Sequence, residues 1–345
     1  MKAIRMIFCA VLTALSLAGC EKEIPQIKNG QVDATFSLQS VSPSTRALSA
    51  TGESTVNRWC VFLAQSGSIV TYATQNSGDR ISIRLTEGET YDAIAVVNYP
   101  NSFNPASFST VSAVQNTVSN LSDNRAGNFV MYGSKDGVVV GAYNTPIEVE
   151  RLVAKITLEG FSIDFSEEPS LRDKVFTLNK IYLINVYNKS TLFETFPAPS
   201  ASESYWYNKM KNEDEMENLL VDSDIDLVLS EDEPYEEVHT FYMYPSNVSE
   251  DAHEETWSPR YTRIVVEAML DYETRYFYMN LSDIRRNRNY RIRGAVIKHG
   301  GSSSPDAMDS VGDITGEDIT WEDLGEVDNN EIGGEDIIWG DQEQL

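Results

Sequence analysis

Along much of the chain, apolar and polar residues alternate singly. Residues 32–38 read Val-Asp-Ala-Thr-Phe-Ser-Leu, with every second position apolar. Residues 81–85, Ile-Ser-Ile-Arg-Leu, repeat the pattern. A period of two belongs to a strand with one buried face. Further strands are expected at residues 91–99, 147–161, 181–187, 239–244, 261–270, 276–281 and 290–297. Seventeen Tyr and thirteen Phe suit half-buried sheet faces. No long stretch carries apolar residues at i, i+3, i+4 and i+7. Residues 204–220 are the best helical candidate, and residues 282–285 suit a single turn. The pattern predicts an all-β protein of two tandem β-sandwich domains. A Ser/Asn-rich loop region, residues 100–128, precedes a boundary expected near residues 143–146. That gives an N-terminal sandwich over 47–145 and a C-terminal one over 146–300. Residues 204–237 form an acidic insertion in the second.

The N-terminus reads as an address. Lys2 and Arg5 precede an apolar run over residues 6–19, too short to span a membrane. It ends Leu17-Ala18-Gly19-Cys20. Charge, length and the small residue before Cys20 make a bacterial lipoprotein signal. Residues 1–19 are then the signal peptide, and Cys20 carries the lipid (palmitate among its acyl chains) that holds the chain at a membrane. Glu21-Lys22-Glu23 follow, without the Asp that marks inner-membrane retention in some bacteria, so the outer membrane is expected. A plain secretory peptide with an incidental Cys is the alternative. Cys9 leaves with the signal and Cys20 is acylated, so Cys60 has no internal disulfide partner. Its apolar flanks predict a buried, inert thiol.

Charge removes whole classes of function. Lys plus Arg number 27 against 53 Asp plus Glu, a net charge of -26. Such a chain repels nucleic acid and does not attach to anionic lipid through a basic patch. Three His and three Cys argue against a His- or Cys-rich metal site. His239, His253 and His299 lie in no catalytic motif, and no Gly-rich phosphate loop exists. Asp222, Asp224, Asp226 and Glu233 match calcium-loop positions 1, 3, 5 and 12, but Leu227 replaces the glycine of position 6. A solvated acidic loop is the better reading. No catalytic residue, metal or cofactor is expected. Residues 299–345 carry no Lys or Arg. They hold a short repeat, Gly-Glu-Asp-Ile-Thr-Trp at 316–321 and Gly-Glu-Asp-Ile-Ile-Trp at 334–339, with turn-forming Asp328-Asn329-Asn330 between. A hairpin of the two copies fits; a disordered acidic tail is the alternative.

Ser44-Thr45-Arg46-Ala47-Leu48-Ser49 is a polar segment soon after the first alternating strand. Cleavage between Arg46 and Ala47 would release residues 20–46, both lipid anchor and strand. With that segment in view, the chain resembles the fimbrillin family of Bacteroidales, the major and minor subunits of donor-strand (type V) fimbriae. The motifs that carry the resemblance run in order through nearly the whole chain. They are the Cys20 signal, the alternating strand, Arg46, the strands at 59–63 and 90–98, Glu150-Arg151-Leu152-Val153-Ala154-Lys155-Ile156, Phe241-Tyr242-Met243-Tyr244-Pro245 and Arg286-Asn287-Arg288-Asn289-Tyr290-Arg291-Ile292.

The resemblance implies sandwiches of the transthyretin-like, Greek-key kind. It also implies a mechanism. The subunit is exported as a lipoprotein precursor, residues 20–46 being a propeptide. An arginine-specific protease cuts after Arg46. Loss of the first strand opens an apolar groove, and a strand from the next subunit fills it. Val32, Phe36 and Leu38 would vacate that groove, each worth about 1.5–3 kcal/mol of burial. Head-to-tail exchange propagates into a filament. The candidate donor is the acidic C-terminal segment, within residues 313–339, with Ile314, Ile319, Trp321, Ile337 and Trp339 as its apolar residues. The expected partners are other fimbrial subunits, in a homopolymer, on the cell surface, supporting adhesion and biofilm. A fimbrial tip or anchor is a second form of this reading. A different class also remains open, a surface lipoprotein that binds glycans on exposed aromatics such as Tyr205, Trp206, Tyr207 and Trp257. In that class residues 32–38 stay in place and Arg46 stays uncut. An enzyme is the third class.

Overall fold

The computed structural model describes residues 30–40, 52–193, 203–207, 220–223, 225–248, 259–304, 314–315 and 318–323. Its first strands are β1 (Gln31–Ser40), β2 (Arg58–Gln65), β3 (Ser68–Asn76), β4 (Arg80–Thr86), β5 (Thr90–Val97), β6 (Val118–Asn120), β7 (Met131–Val139) and β8 (Asn144–Arg151). Seven of them form one curled sheet in the order β3-β2-β5-β7-β8-β1-β4. β2 and β5 are its centre, and residues 59–64 and 93–97 are buried throughout. Cys60 is among them, and burial pushes its thiol pKa far up. A short helix α1 (Val111–Gln115) interrupts the loop after β5; the Thr110 hydroxyl caps it by accepting from the Ala113 amide.

The remaining strands are β9 (Ala154–Ile163), β10 (Phe176–Ile184), β11 (Val186–Tyr187), β12 (Lys189–Thr191), β13 (Trp206–Tyr207), β14 (Val221–Asp222), β15 (Leu227–Leu229), β16 (Tyr235–Met243), β17 (Thr262–Leu270), β18 (Glu273–Leu281), β19 (Arg288–Arg293), β20 (Val296–Ile297), β21 (Ile314–Thr315) and β22 (Asp318–Asp323). One sheet runs β14-β10-β17-β18, with β15 also on β10. The other runs β21-β20-β9-β19-β22, with β16 also on β9. β6 and β12 pair across the two parts of the chain. A single buried cluster extends from Phe36 and Ile147 to Leu158, Ile264 and Phe277.

The chain is therefore all-β, as the alternation predicts, with differences in detail. Residues 147–161 do not form one strand. β8 ends at Arg151 and β9 begins at Ala154, and the chain changes sheets at Leu152 and Val153. Both residues are fully buried, so the apolar run hides the crossing from a period-two reading. The ladders of β8 run to β1 and β7, so the sheet change lies past the 143–146 position suggested by composition. The helix expected at 204–220 is absent where the structure describes that stretch. Residues 203–205 make a 3-10 turn and 206–207 form β13 against β11. β3 and β7 were not expected. The half-buried face of β3 is mostly small and polar, Ile69, Thr71, Ala73 and Gln75, so its alternation is faint. β7 holds Gly133, Lys135 and Asp136. A Cβ at Gly133 would sit 1.8 Å from the Glu148 carbonyl oxygen, so only glycine lets β7 pass β8 that closely.

Candidate functional site

β1 is built from its alternation. Ala34 and Phe36 point inward and are buried, and Val32 and Leu38 pack half-buried against the same core. β4 alternates in step, so the pairs Val32–Leu85, Ala34–Ile83 and Phe36–Ile81 stack apolar on apolar. The opposite face is polar. Asp33 faces Arg84 at 3.4 Å, and the Thr35 and Ser82 hydroxyls lie 3.1 Å apart. The Asp33–Arg84 pair is two-thirds exposed, which makes it a register mark worth little energy. Ser37 is buried and accepts from Asn144 Nδ2 at 2.8 Å.

The position of β1 matters more than its composition. Its first half pairs antiparallel with β4, from Gln31–Thr86 to Ser37–Arg80. Its second half pairs parallel with β8, from Thr35–Asn144 to Ser40–Val149. The two ladders overlap at residues 35–37, so Phe36 sits between Ile81 and Thr145. Among the described residues β1 is the only ladder partner of β4. A strand held on both edges is an integral member of its sheet. Taking it away bares a free edge on β8 and leaves β4 with no ladder.

Residues 53–57, which lead into β2, are held by hydrogen bonds from several strands and loops. The Glu53 side chain is 1% exposed. Its Oε1 accepts from Lys155 Nζ at 2.8 Å and from the Tyr242 hydroxyl at 2.7 Å. Its carbonyl accepts from Arg151 Nε at 2.8 Å. Burial alone would raise the Glu53 pKa. The hydrogen bonds from Lys155 and Tyr242, with the charges of Lys155 and Arg151, outweigh it and hold the carboxyl below its ordinary 4.5. Asn98 Nδ2 donates to the Thr55 carbonyl at 2.7 Å, and Asn98 Oδ1 accepts from the Asn57 amide at 2.8 Å. Residues 53–57 are thus clamped on both parts of the chain. Tyr244, two residues beyond Tyr242, makes a second tie. Its hydroxyl donates to Ser119 Oγ at 2.9 Å and accepts from Asn124 Nδ2 at 3.0 Å.

Other residues singled out in the sequence fall as follows. Val32, Phe36 and Leu38 come together in β1. Ile319 and Trp321 lie in β22, an outermost strand opposite Ile292 and Tyr290 of β19. The first repeat copy pairs with β19; the second copy, and with it the hairpin expected of the two, lies outside the described residues. Cys20, Arg46, Ala47, Trp257, Ile337 and Trp339 lie outside the described residues. Trp206 is fully buried, its ring centroid 4.0 Å from that of Tyr187, so it offers no platform to a glycan. Asp222 is committed to His239, whose Nδ1 lies 2.7 Å from its carboxylate, with Tyr235 closing the other side of the ring at 2.8 Å. The Glu53 clamp was missed. Its traces in sequence were Arg151 and Lys155 in one motif already singled out and Tyr242 in another.

The described chain thus consists of sheets of mostly antiparallel strands, with β1 set between β4 and β8. Three of the solved structures with a similar fold are the following. A protein described as a cell adhesion protein from Parabacteroides distasonis aligns at TM-score 0.61 and 15% identity, over 86% of this chain and 99% of its own. A second from that organism aligns at 0.57 and 18%, over 79% and 90%. A fimbrilin from Porphyromonas gingivalis aligns at 0.56 and 12%, over 82% and 95%. No protein-family model matches the chain, and no curated protein matches it in sequence. The chain has the fold of Bacteroidales fimbrillins and cell adhesion proteins.

Proposed function

We propose that this chain is a structural subunit of a surface fimbrium, exported as an outer-membrane lipoprotein on Cys20 and activated by cleavage after Arg46. The observation that carries the reading is the placement of β1. It is the first described strand, it fills the slot between β4 and β8, and Arg46 stands between it and the Glu53 clamp. A cut there separates β1 from the body without touching any clamped residue. The vacated slot would be lined by Ile81, Leu85, Ile147 and Val149, all buried while β1 is present. Main-chain groups on both sides then await a strand from a neighbouring subunit. The C-terminal segment is the donor favoured here. Among the described residues its β22 is held by one ladder at a sheet edge, the cheapest kind of strand to release. The partners are other copies of the chain or related fimbrial subunits, and an arginine-specific protease. The role is structural and not enzymatic.

The test is the N-terminus of protein sheared from the cell surface, with Arg46→Ala as the comparison. A start at Ala47, together with loss of high-mass polymers in Arg46→Ala, is the expected result. Sheared polymers that begin at acylated Cys20 would sink the strand-release reading and leave an anchor.

A further inference from the structure

Away from β1, one concavity carries chemistry that strand exchange does not use. It has a volume of about 430 Å³ and opens where the start of β2, the loop after β5 and the 122–128 loop meet. Its wall is polar, formed mainly by Asn57, Arg58, Asn101, Asp123, Arg125 and Asn128.

The scaffold of this wall is internally satisfied. Arg58 Nε donates to the Tyr99 carbonyl at 3.0 Å, its Nη2 donates to Asn101 Oδ1 at 2.7 Å, and its guanidinium stacks 4.7 Å over the Tyr99 ring. Asn57 Nδ2 donates to the Gly127 carbonyl at 2.7 Å and to Asn128 Oδ1 at 3.0 Å. Asp123 Oδ2 accepts the Asn120 amide at 2.8 Å. Several polar groups of the lining residues are left over. Arg125 is exposed and, among the described residues, its guanidinium has no partner. Arg58 keeps Nη1, Asn101 keeps its amide donors and Asp123 keeps Oδ1. Two arginines lining one cavity are notable in a chain of net charge -26. They form a local exception in a field that would turn away a long polyanion but that is screened within about 10 Å for a small one.

We propose that this pocket binds a carboxylated sugar residue. The guanidinium of Arg125, helped by Arg58 Nη1, takes the carboxylate in a charge-assisted fork. The donors of Asn101 and the free oxygen of Asp123 take ring hydroxyls, which need donors and acceptors together. A bare phosphate would bring the charge without the ring hydroxyls that Asn101 and Asp123 can take, and an apolar ligand would strand the whole wall. The volume suits one or two rings of a glycan. The assignment does not rest on strand exchange, since the pocket is complete in the uncut chain.

The experiment is calorimetric titration of the whole exported chain with sialyllactose and with a glucuronic acid disaccharide, lactose serving as the neutral control. Saturable binding of either acidic sugar, none of lactose, and roughly ten- to hundred-fold weaker binding by Arg125→Ala is the expected result. Arg125→Lys keeps the charge but loses the fork, so it should fall between the two. Arg125 is at the surface, and an unchanged unfolding midpoint will confirm that each variant is folded. Absence of binding by both acidic sugars, equal binding of lactose, or full binding by Arg125→Ala would each overturn the proposal.

Discussion

At the scale of the residue, Glu53 is the group whose loss should be felt most. It is a buried carboxylate that joins β9 and β16 to the segment entering β2. Removing one partner from a buried ion pair costs about 3–5 kcal/mol, because the other charge is stranded. The titration has a definite sign. The folded-state pKa lies below the ordinary 4.5. The interaction therefore adds stability above that pH, and the gain is lost as pH falls through the lower, folded value. Glu53→Gln should lower the unfolding midpoint in urea at pH 7. Near pH 3 the gap between wild type and variant should shrink. A gap unchanged between the two pH values would mean that Glu53 is not ionised in the fold.

At the scale of the element, β1 and β4 form a dependent pair. β4 draws its ladder from β1 alone among the described residues, while β8 has β7 as well at Met131 and Tyr132. The release of β1 should therefore show itself most in β4. In amide exchange, residues 80–86 of a cleaved, unassembled chain should lose protection by orders of magnitude, and the centre of β2 should keep its own. Equal protection of β4 before and after cleavage would argue against β1 as the exchanged strand. Alternation made β1 and β4 readable from sequence, because each buries one face only. It could not show that they are neighbours, since strand order is set by long-range pairing. The break at Leu152 and Val153 was hidden by burial on all sides. The Glu53 clamp was hidden because its members, Glu53, Arg151, Lys155 and Tyr242, are scattered along the chain. The pocket around Arg125 was hidden likewise, because it joins Asn57 and Arg58 to residues of a stretch that composition marks only as loop.

At the scale of the whole molecule, the two parts of the chain are tied by the Glu53 clamp, by Tyr244 on Ser119 and Asn124, and by the β6–β12 pair. None of these ties uses a residue of β1, so the proposed exchange could proceed without parting them. The double pairing of β1 has a further consequence, one of history. While β1 belongs to the same chain, refilling its slot is a first-order event that any denatured molecule can repeat. Once the bond after Arg46 is cut, the same ten residues are a separate solute, and recovery becomes a second-order encounter. Intact precursor diluted from urea should regain its structure at a rate independent of concentration. A cut chain freed of its peptide should recover only when a peptide of residues 31–40 is supplied, and faster the more is added. Full unaided recovery of the cut chain would refute this. If the proposed cut is made, a chain of this design folds on its own terms once, and afterwards stays folded only in company.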